Sequence, residues 1–522
     1  MDRPVRSLDQ TSGKYRWLQA VIWGLIVVAA AAVFYGNLRF KDAVLSIGLE
    51  DDFFYYAQVA RNLAFHGSST FDGTHLTNGY HPLWLVVLTV VTKIFDTGGL
   101  LGCTSAFPIA MALETVQLGL VVAIACFVFR IARLFCGFEV SCAIQLLGVT
   151  GSMMILRGGM EAGLTMAIAF GMLWYRLRPG FTWTRGTALL YGLLASSMVL
   201  SRLDTVLLLA LLFFFDVLPQ GKPKRVQMEL CGFFLLGLLP IAFYLGVNEW
   251  IFGAMMPVSG TAKQLRNVHL LPSADAMSSF AGRLFNRKLP VYGICVVLTL
   301  MTPVMVWMRR RSAPNDCVGI VWAVLLFPLF QFLAVTTLSD WMIWPWYVYA
   351  WPIAAVFASI VLLPPSVAGK GMVWVALAAL LFALDAAYLV HSSRPEDELT
   401  YLAGEDIATF AATHPGIYAM GDRAGAVGYL AKVPVVQLEG LMMGPDFLEN
   451  IRLEKNLQEV LSAYQVKYYI ATNATVDGAG CYSVREPAQA GRDSPSMRAL
   501  LCRQPVATFE HRGFVNQIFE MQ

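Results

Sequence analysis

A chain of 522 residues that is 57% hydrophobic and 14% charged, with a mean hydropathy of +0.59, is not an ordinary soluble domain. Its length holds ten or more apolar spans of about 20 residues and one modest soluble domain. The net charge of +3 says little about partners; no nucleic acid is expected, and where the basic residues fall carries more information.

The N-terminus carries Arg3, Arg6, Lys14 and Arg16 ahead of an apolar run from Trp17 to about Leu38. The positive-inside rule puts the start of that run in the cytoplasm and residue 40 onward outside. Further basic clusters occur at Arg130 and Arg133, at Arg176, Arg178 and Arg185, at Lys222, Lys224 and Arg225, at Arg309, Arg310 and Arg311, and weakly at Lys370. Facing all of them inward predicts an α-helical polytopic protein of about eleven spans. After the first, these fall near 106–129, 137–157, 160–175, 186–201, 203–218, 228–248, 290–308, 317–337, 347–363 and 371–390. The apolar stretch Pro82 to Phe95 is too short for a crossing and reads as an interfacial or re-entrant helix.

The polar loop at 40–105 opens with Glu50, Asp51 and Asp52. Carboxylates at a membrane edge cost roughly 2.5–3.5 kcal/mol each on insertion scales, so they mark function by default. From Asp52 onward the spacing of Phe53, Phe54, Ala57, Ala60 and Ala64 predicts an amphipathic helix lying on the membrane. Asp51 or Asp52 either caps that helix or serves as a base. His81, between Tyr80 and Pro82, either binds phosphate or caps the next helix. Arg202 and Asp204 are a structural ion pair or a phosphate site, and Lys263 is a snorkelling or a phosphate-binding residue. Glu161 orients an acceptor or caps a helix. Trp341, Trp344, Trp346 and Tyr347 stack on a sugar or hold the lipid, or belong to an interfacial aromatic belt.

Residues 1–391 form the expected membrane domain and 392–522 a soluble α/β domain outside, with strand-like IYAM, VPVVQL and KYYIAT alternating with helical stretches. Cys481 and Cys502 both fall in that domain and either pair or stay free. No His or Cys spacing suggests zinc; the three adjacent acids could hold a hard divalent ion, but a metal-independent protein without cofactor is expected.

The order EDD, ARN, an HG turn and TNGYHPLW resembles the first external loop of the GT-C glycosyltransferases, especially the branch with the mycobacterial arabinofuranosyltransferases. Gly159-Met160-Glu161 looks like that branch's GME motif, and Ser201-Arg202-Leu203-Asp204 like its R-x-D motif. Phe252-Gly253 through Pro257-Val258-Ser259 to Lys263 looks like its FG…PxS…K loop, and the stretches from Gly421 and Val435 like its external domain. The resemblance implies an enzyme of the bacterial cytoplasmic membrane with its soluble domain on the periplasmic side. It would move a sugar, arabinofuranose in that branch, from a polyprenyl-phosphate donor to a glycan, lipid or protein acceptor with inversion.

By the same resemblance Asp51 is the general base, with Asp52 beside it. The chain departs from the pattern at WMIWPWY, where relatives often carry Arg-Tyr before a proline, so Arg202, Lys263, His81 and Arg61 are the candidates for the donor phosphate. Tyr55, Tyr80, Glu161, Asp204, Trp344, Trp346 and Tyr347 are the candidates for substrate contact. Competing readings are a transporter or flippase, which should show repeats and midplane charges, and a ligase or polymerase of lipid-linked glycans.

Overall fold

The computed structural model describes residues 15–41, 44–95, 107–218, 222–265, 271–309, 317–363, 370–392, 395–477, 480–488, 490–491 and 494–521. Each expected span is found as helix: Arg16–Tyr35, Phe107–Phe135, Phe138–Arg157, Ala162–Leu177, Arg185–Ser201, Val206–Leu212, Lys224–Leu236 with Leu239–Phe252, Pro290–Arg309, Val318–Leu338, Ala350–Leu362 and Gly371–His391. Among the described residues six helical segments are long and apolar enough to cross a membrane, or seven if the Lys224–Leu236 and Leu239–Phe252 pair, bent by 41°, is one crossing. The count of eleven therefore holds for position more than for length. The short helices Ala162–Leu177 and Arg185–Ser201, of 16 and 17 residues, respectively begin after Glu161 and end before Arg202, at a polar region.

The Phe138–Arg157 helix is the centre of the bundle, buried over most of its surface. Small residues let its neighbours approach: a Cβ on Gly151 would sit 2.8 Å from Pro352, and one on Gly148 3.1 Å from Val356.

The C-terminal region forms a five-stranded sheet in the order 435–437, 418–420, 468–472, 514–520, 507–511, parallel over the first three strands and antiparallel over the last two pairings. The expected strands thus appear at Tyr418–Met420, Val435–Gln437 and Tyr468–Thr472. A three-stranded antiparallel sheet, 475–476, 482–486 and 497–501, packs beside it. Cys481 and Cys502 are joined in a disulfide across a separation of 21 residues. Closing a loop of that length restricts the unfolded chain, so Cys481→Ser is expected to lower the stability of this region by about 3 kcal/mol, read by thermal unfolding with and without reductant.

The helix Asp51–His66 departs from its expected place on the membrane surface. Phe53, Phe54, Tyr55 and Tyr56 are all buried, and four consecutive aromatics cannot lie on one face of a helix. Phe53 packs toward the bundle near Gly159, whereas Phe54 meets Tyr401 and Tyr429 of the C-terminal region. The helix is sandwiched between the two parts of the chain and ends at Gly67, whose φ of 66° lies in the left-handed region. A second junction lies at Asp340, where the Ser494 hydroxyl donates to Oδ1 at 2.6 Å.

Candidate active site

The early helix ends leave a cavity of about 410 Å³ between the Asp51–His66 helix, the Pro257–Gln264 segment, the end of the Val318–Leu338 helix and the 341–347 loop. Its floor carries Asp52, His81, Glu161, Arg202, Asp204 and Lys263. Its mouth is apolar: Val206, Met256, Leu338 and Met342 line it and are each about half exposed. A smaller cavity adjoins it, lined by Glu50, Asp51, Asp52, Lys263, Trp344 and, from the C-terminal region, Asp422 and Glu439.

Local sequence builds these walls. Asn78 pins the Phe252–Lys263 segment to the 40–105 loop: its Oδ1 accepts from the Val258 N–H at 2.9 Å and its Nδ2 donates to the Met256 carbonyl at 3.3 Å. Gly79 allows the C-terminal region to close in, since a Cβ there would lie 1.9 Å from the Leu441 carbonyl oxygen.

Arg202 is nearly enclosed. Its Nη1 donates to Glu161 Oε1 and its Nε to Asp204 Oδ1 at 2.9 Å, while its guanidinium lies 4.5 Å from the Tyr347 ring centroid. Asp204 also accepts from Tyr349 Oη at 3.0 Å and from Gln331 Nε2 at 2.9 Å. His81 Nδ1 accepts from the Leu203 N–H at 3.4 Å, which leaves Nε2 facing Glu161 Oε1 at 3.7 Å. Burial pushes the imidazole pKa down against the pull of Glu161, which favours the uncharged ring.

Lys263 differs from Arg202 in its side-chain partner, a phenol oxygen in place of carboxylates: Nζ donates to Tyr347 Oη at 3.4 Å. Burial works against its charge, but Tyr347 and Asp52 outweigh that and hold its pKa above the usual lysine value. Asp52 faces the same space. Burial raises its pKa to about 7, with Lys263 opposing the shift. The pair offers a carboxylate poised near neutrality beside a permanent cation.

Asp51, one residue earlier, is engaged elsewhere. Its Oδ2 and Oδ1 accept from the backbone N–H groups of Gly425 and Ala426, each at 2.9 Å, and it does not line the larger cavity. Arg61 also points away from the cavity, its Nη1 donating to the Tyr429 carbonyl at 2.9 Å. Tyr80 bonds Ser69 through Oη at 2.7 Å and braces the loop. Tyr55 lines both cavities and accepts from the Ala424 N–H at 3.2 Å. Trp344 and Trp346 stack at 5.7 Å with their planes 5° apart; Trp346 and Tyr347 reach the larger cavity, and Trp344 the smaller one alone.

Four contributors were not singled out from sequence. Gln331 carried a signal, as a lone amide in the apolar run FPLFQFLA. Asn78 lies inside the TNGYHPLW motif, and Tyr349 two residues beyond WMIWPWY. Glu439, buried with Oε1 unpaired on the wall of the smaller cavity, lies inside the stretch from Val435 that resembles the external domain. Among the described residues no group of three or more His, Cys, Asp or Glu has a metal-holding arrangement.

No protein-family model matches the sequence, and no curated protein is similar to it in sequence. Similarity exists in structure. ArnT from Cupriavidus metallidurans, in the apo state, overlays 93% of this chain and 98% of its own with a TM-score of 0.55 at 14% identity. The archaeal oligosaccharyltransferase AglB from Archaeoglobus fulgidus, in complex with an inhibitory peptide and a dolichol-phosphate, overlays 87% of this chain and 70% of its own with a TM-score of 0.52 at 12% identity. A looser overlay on the arabinofuranosyltransferase AftD from Mycobacteria, with a TM-score of 0.40 at 13% identity over 88% of this chain and 36% of AftD, carries no argument about the sugar.

Proposed function

We propose that this chain, which has the GT-C fold shared with ArnT and AglB, is a multi-pass membrane glycosyltransferase that takes a sugar from a polyprenyl-phosphate donor and passes it to an acceptor hydroxyl. One observation carries the reading: a single cavity runs from a half-exposed apolar mouth to a floor holding Asp52 beside Lys263. An isoprenoid tail fits such a mouth, and a sugar phosphate such a floor. The dolichol-phosphate bound to AglB supports a lipid monophosphate as the carrier.

In the proposed reaction ionised Asp52 takes the proton of the acceptor hydroxyl, and the resulting oxygen attacks the anomeric carbon from the face opposite the phosphate. The carbon–oxygen bond to phosphate breaks, its electrons leave with polyprenyl phosphate, and Lys263 meets the developing charge. The base expected at Asp51 is thus assigned to Asp52, because both oxygens of Asp51 are occupied by backbone donors. Arg202 contributes less to the phosphate than expected, being matched by Glu161 and Asp204; with His81 it shapes the floor. The proposed sugar is a pentofuranose, the proposed site of action the outer face of the cytoplasmic membrane, and no metal takes part.

The test is reconstitution in vesicles with a panel of synthetic polyprenyl-phosphate sugars, pentofuranoses first, following release of polyprenyl phosphate in the presence and absence of EDTA. Turnover insensitive to chelator is expected; turnover only with nucleotide sugars would overturn the reading. Lys263→Gln is expected to weaken binding of polyprenyl phosphate by roughly 10- to 100-fold, the equivalent of one lost charge-assisted hydrogen bond, measured by titration of the purified protein.

A further inference from the structure

The structure assigns Asp51 a role distinct from proton transfer: together with Tyr55 and Arg61 it clamps the C-terminal helix Ala424–Leu430 onto the Asp51–His66 helix, and this clamp aims Asp52 into the cavity. The inference rests on the reading of Asp52 as the base.

Three successive backbone N–H groups at the start of the Ala424–Leu430 helix are held by the loop helix: Ala424 by Tyr55 Oη, Gly425 and Ala426 by the two oxygens of Asp51. Its last turn is held too. Arg61 donates to the Tyr429 carbonyl at 2.9 Å while its guanidinium lies 3.7 Å from the Tyr429 ring centroid. An acid therefore meets the positive end of the short helix and a cation its negative end.

Glycines make the approach possible. A Cβ on Gly425 would lie 2.2 Å from the Asp51 carbonyl oxygen and 2.8 Å from Oδ2, and one on Gly428 2.2 Å from Phe71 Cζ. Arg423, just before the short helix, has a φ of 65°, a left-handed turn that is uncommon outside glycine and sets where the N–H groups point.

Fixing Asp51 fixes its neighbour. Successive residues on a helix point about 100° apart, so when Asp51 is held against the C-terminal region, Asp52 is turned toward Lys263 and the cavity. A free loop helix could roll and let Asp52 meet bulk water. The two adjacent acids thereby divide the work, one holding and one reacting.

The test uses the full-length protein in vesicles with Asp51→Asn, Gly425→Ala and Asp52→Asn. Amide exchange over residues 424–430, measured without substrate, is expected to quicken about tenfold or more in Asp51→Asn and Gly425→Ala and to stay unchanged in Asp52→Asn. With the polyprenyl-phosphate sugar that the wild type turns over best, Gly425→Ala is expected to lower kcat about tenfold with little change in donor KM. Its acid limb is also expected to move down by about one pH unit as Asp52 regains water. Gly425→Ala leaves every charge in place, so such a movement reports position, whereas a general loss of folded protein would leave the limb where it is. Abolished turnover in Asp51→Asn with unchanged exchange would make Asp51 the base and overturn the proposal. Quickened exchange with wild-type kcat and pH profile would also overturn it. Undiminished turnover in Asp52→Asn would instead refute the assignment of the base, an outcome separable because the exchange measurement needs no catalysis.

Discussion

Asp52→Asn is expected to lower kcat by roughly 10²- to 10⁴-fold, the usual worth of a positioned general base, with donor KM little changed. Wild-type kcat is expected to follow the same carboxylate. Burial raises the Asp52 pKa to about 7 against the opposing Lys263, and only the ionised form accepts a proton. Turnover therefore falls about tenfold per unit as pH drops below about 7 and levels above it. Lys263, held above its ordinary value, keeps its charge across that range. In Asp52→Asn the limb disappears along with the rate. The check is a kcat profile across that range for both proteins; a variant that keeps the limb would hand it to another group, with Asp51, raised to about 6 by burial, the nearest.

Arg202→Gln is expected to destabilise the protein by about 3–5 kcal/mol, because it leaves the buried Glu161, and the partly exposed Asp204, without their cation. Removing the partner as well should restore part of the loss: Arg202→Gln with Glu161→Gln is expected to be more stable than Arg202→Gln alone, the signature of coupled charges. Thermal unfolding of the four proteins of this cycle in one detergent gives the coupling directly. Additive losses would mean that the two side chains act independently despite their hydrogen bond.

Much of the site was legible because its motifs are short and carry their own turn chemistry. Glu161, Arg202, Asp204 and Lys263 end up around one cavity, as their places at span ends imply. Which of Asp51 and Asp52 faces that cavity was not legible. The choice depends on Gly425 and Ala426, more than 370 residues away, and nothing local encodes which side of a helix a distant segment will cover. The place of Arg61 was not legible for the same reason, its carbonyl partner lying 368 residues on. The placement of the loop helix on the membrane failed for a different reason: the alanine spacing suggested one apolar face, but the run Phe53 to Tyr56 requires two covered faces. The strands at 418–420, 435–437 and 468–472 were readable because β-branched and aromatic runs there are bounded by turns.

The separation between Asp51 and its partners bears on how the protein comes to be made. A nascent chain inserts its first loop long before the last quarter is synthesised, so for most of its synthesis the Asp51–His66 helix has no lid over Phe54 and no donors for Asp51. On the proposed division of work between Asp51 and Asp52, a chain cut short before residue 424 lacks the donors that hold Asp51 and is expected to be inactive. A membrane filling with half-finished copies would be spared unscheduled sugar transfer.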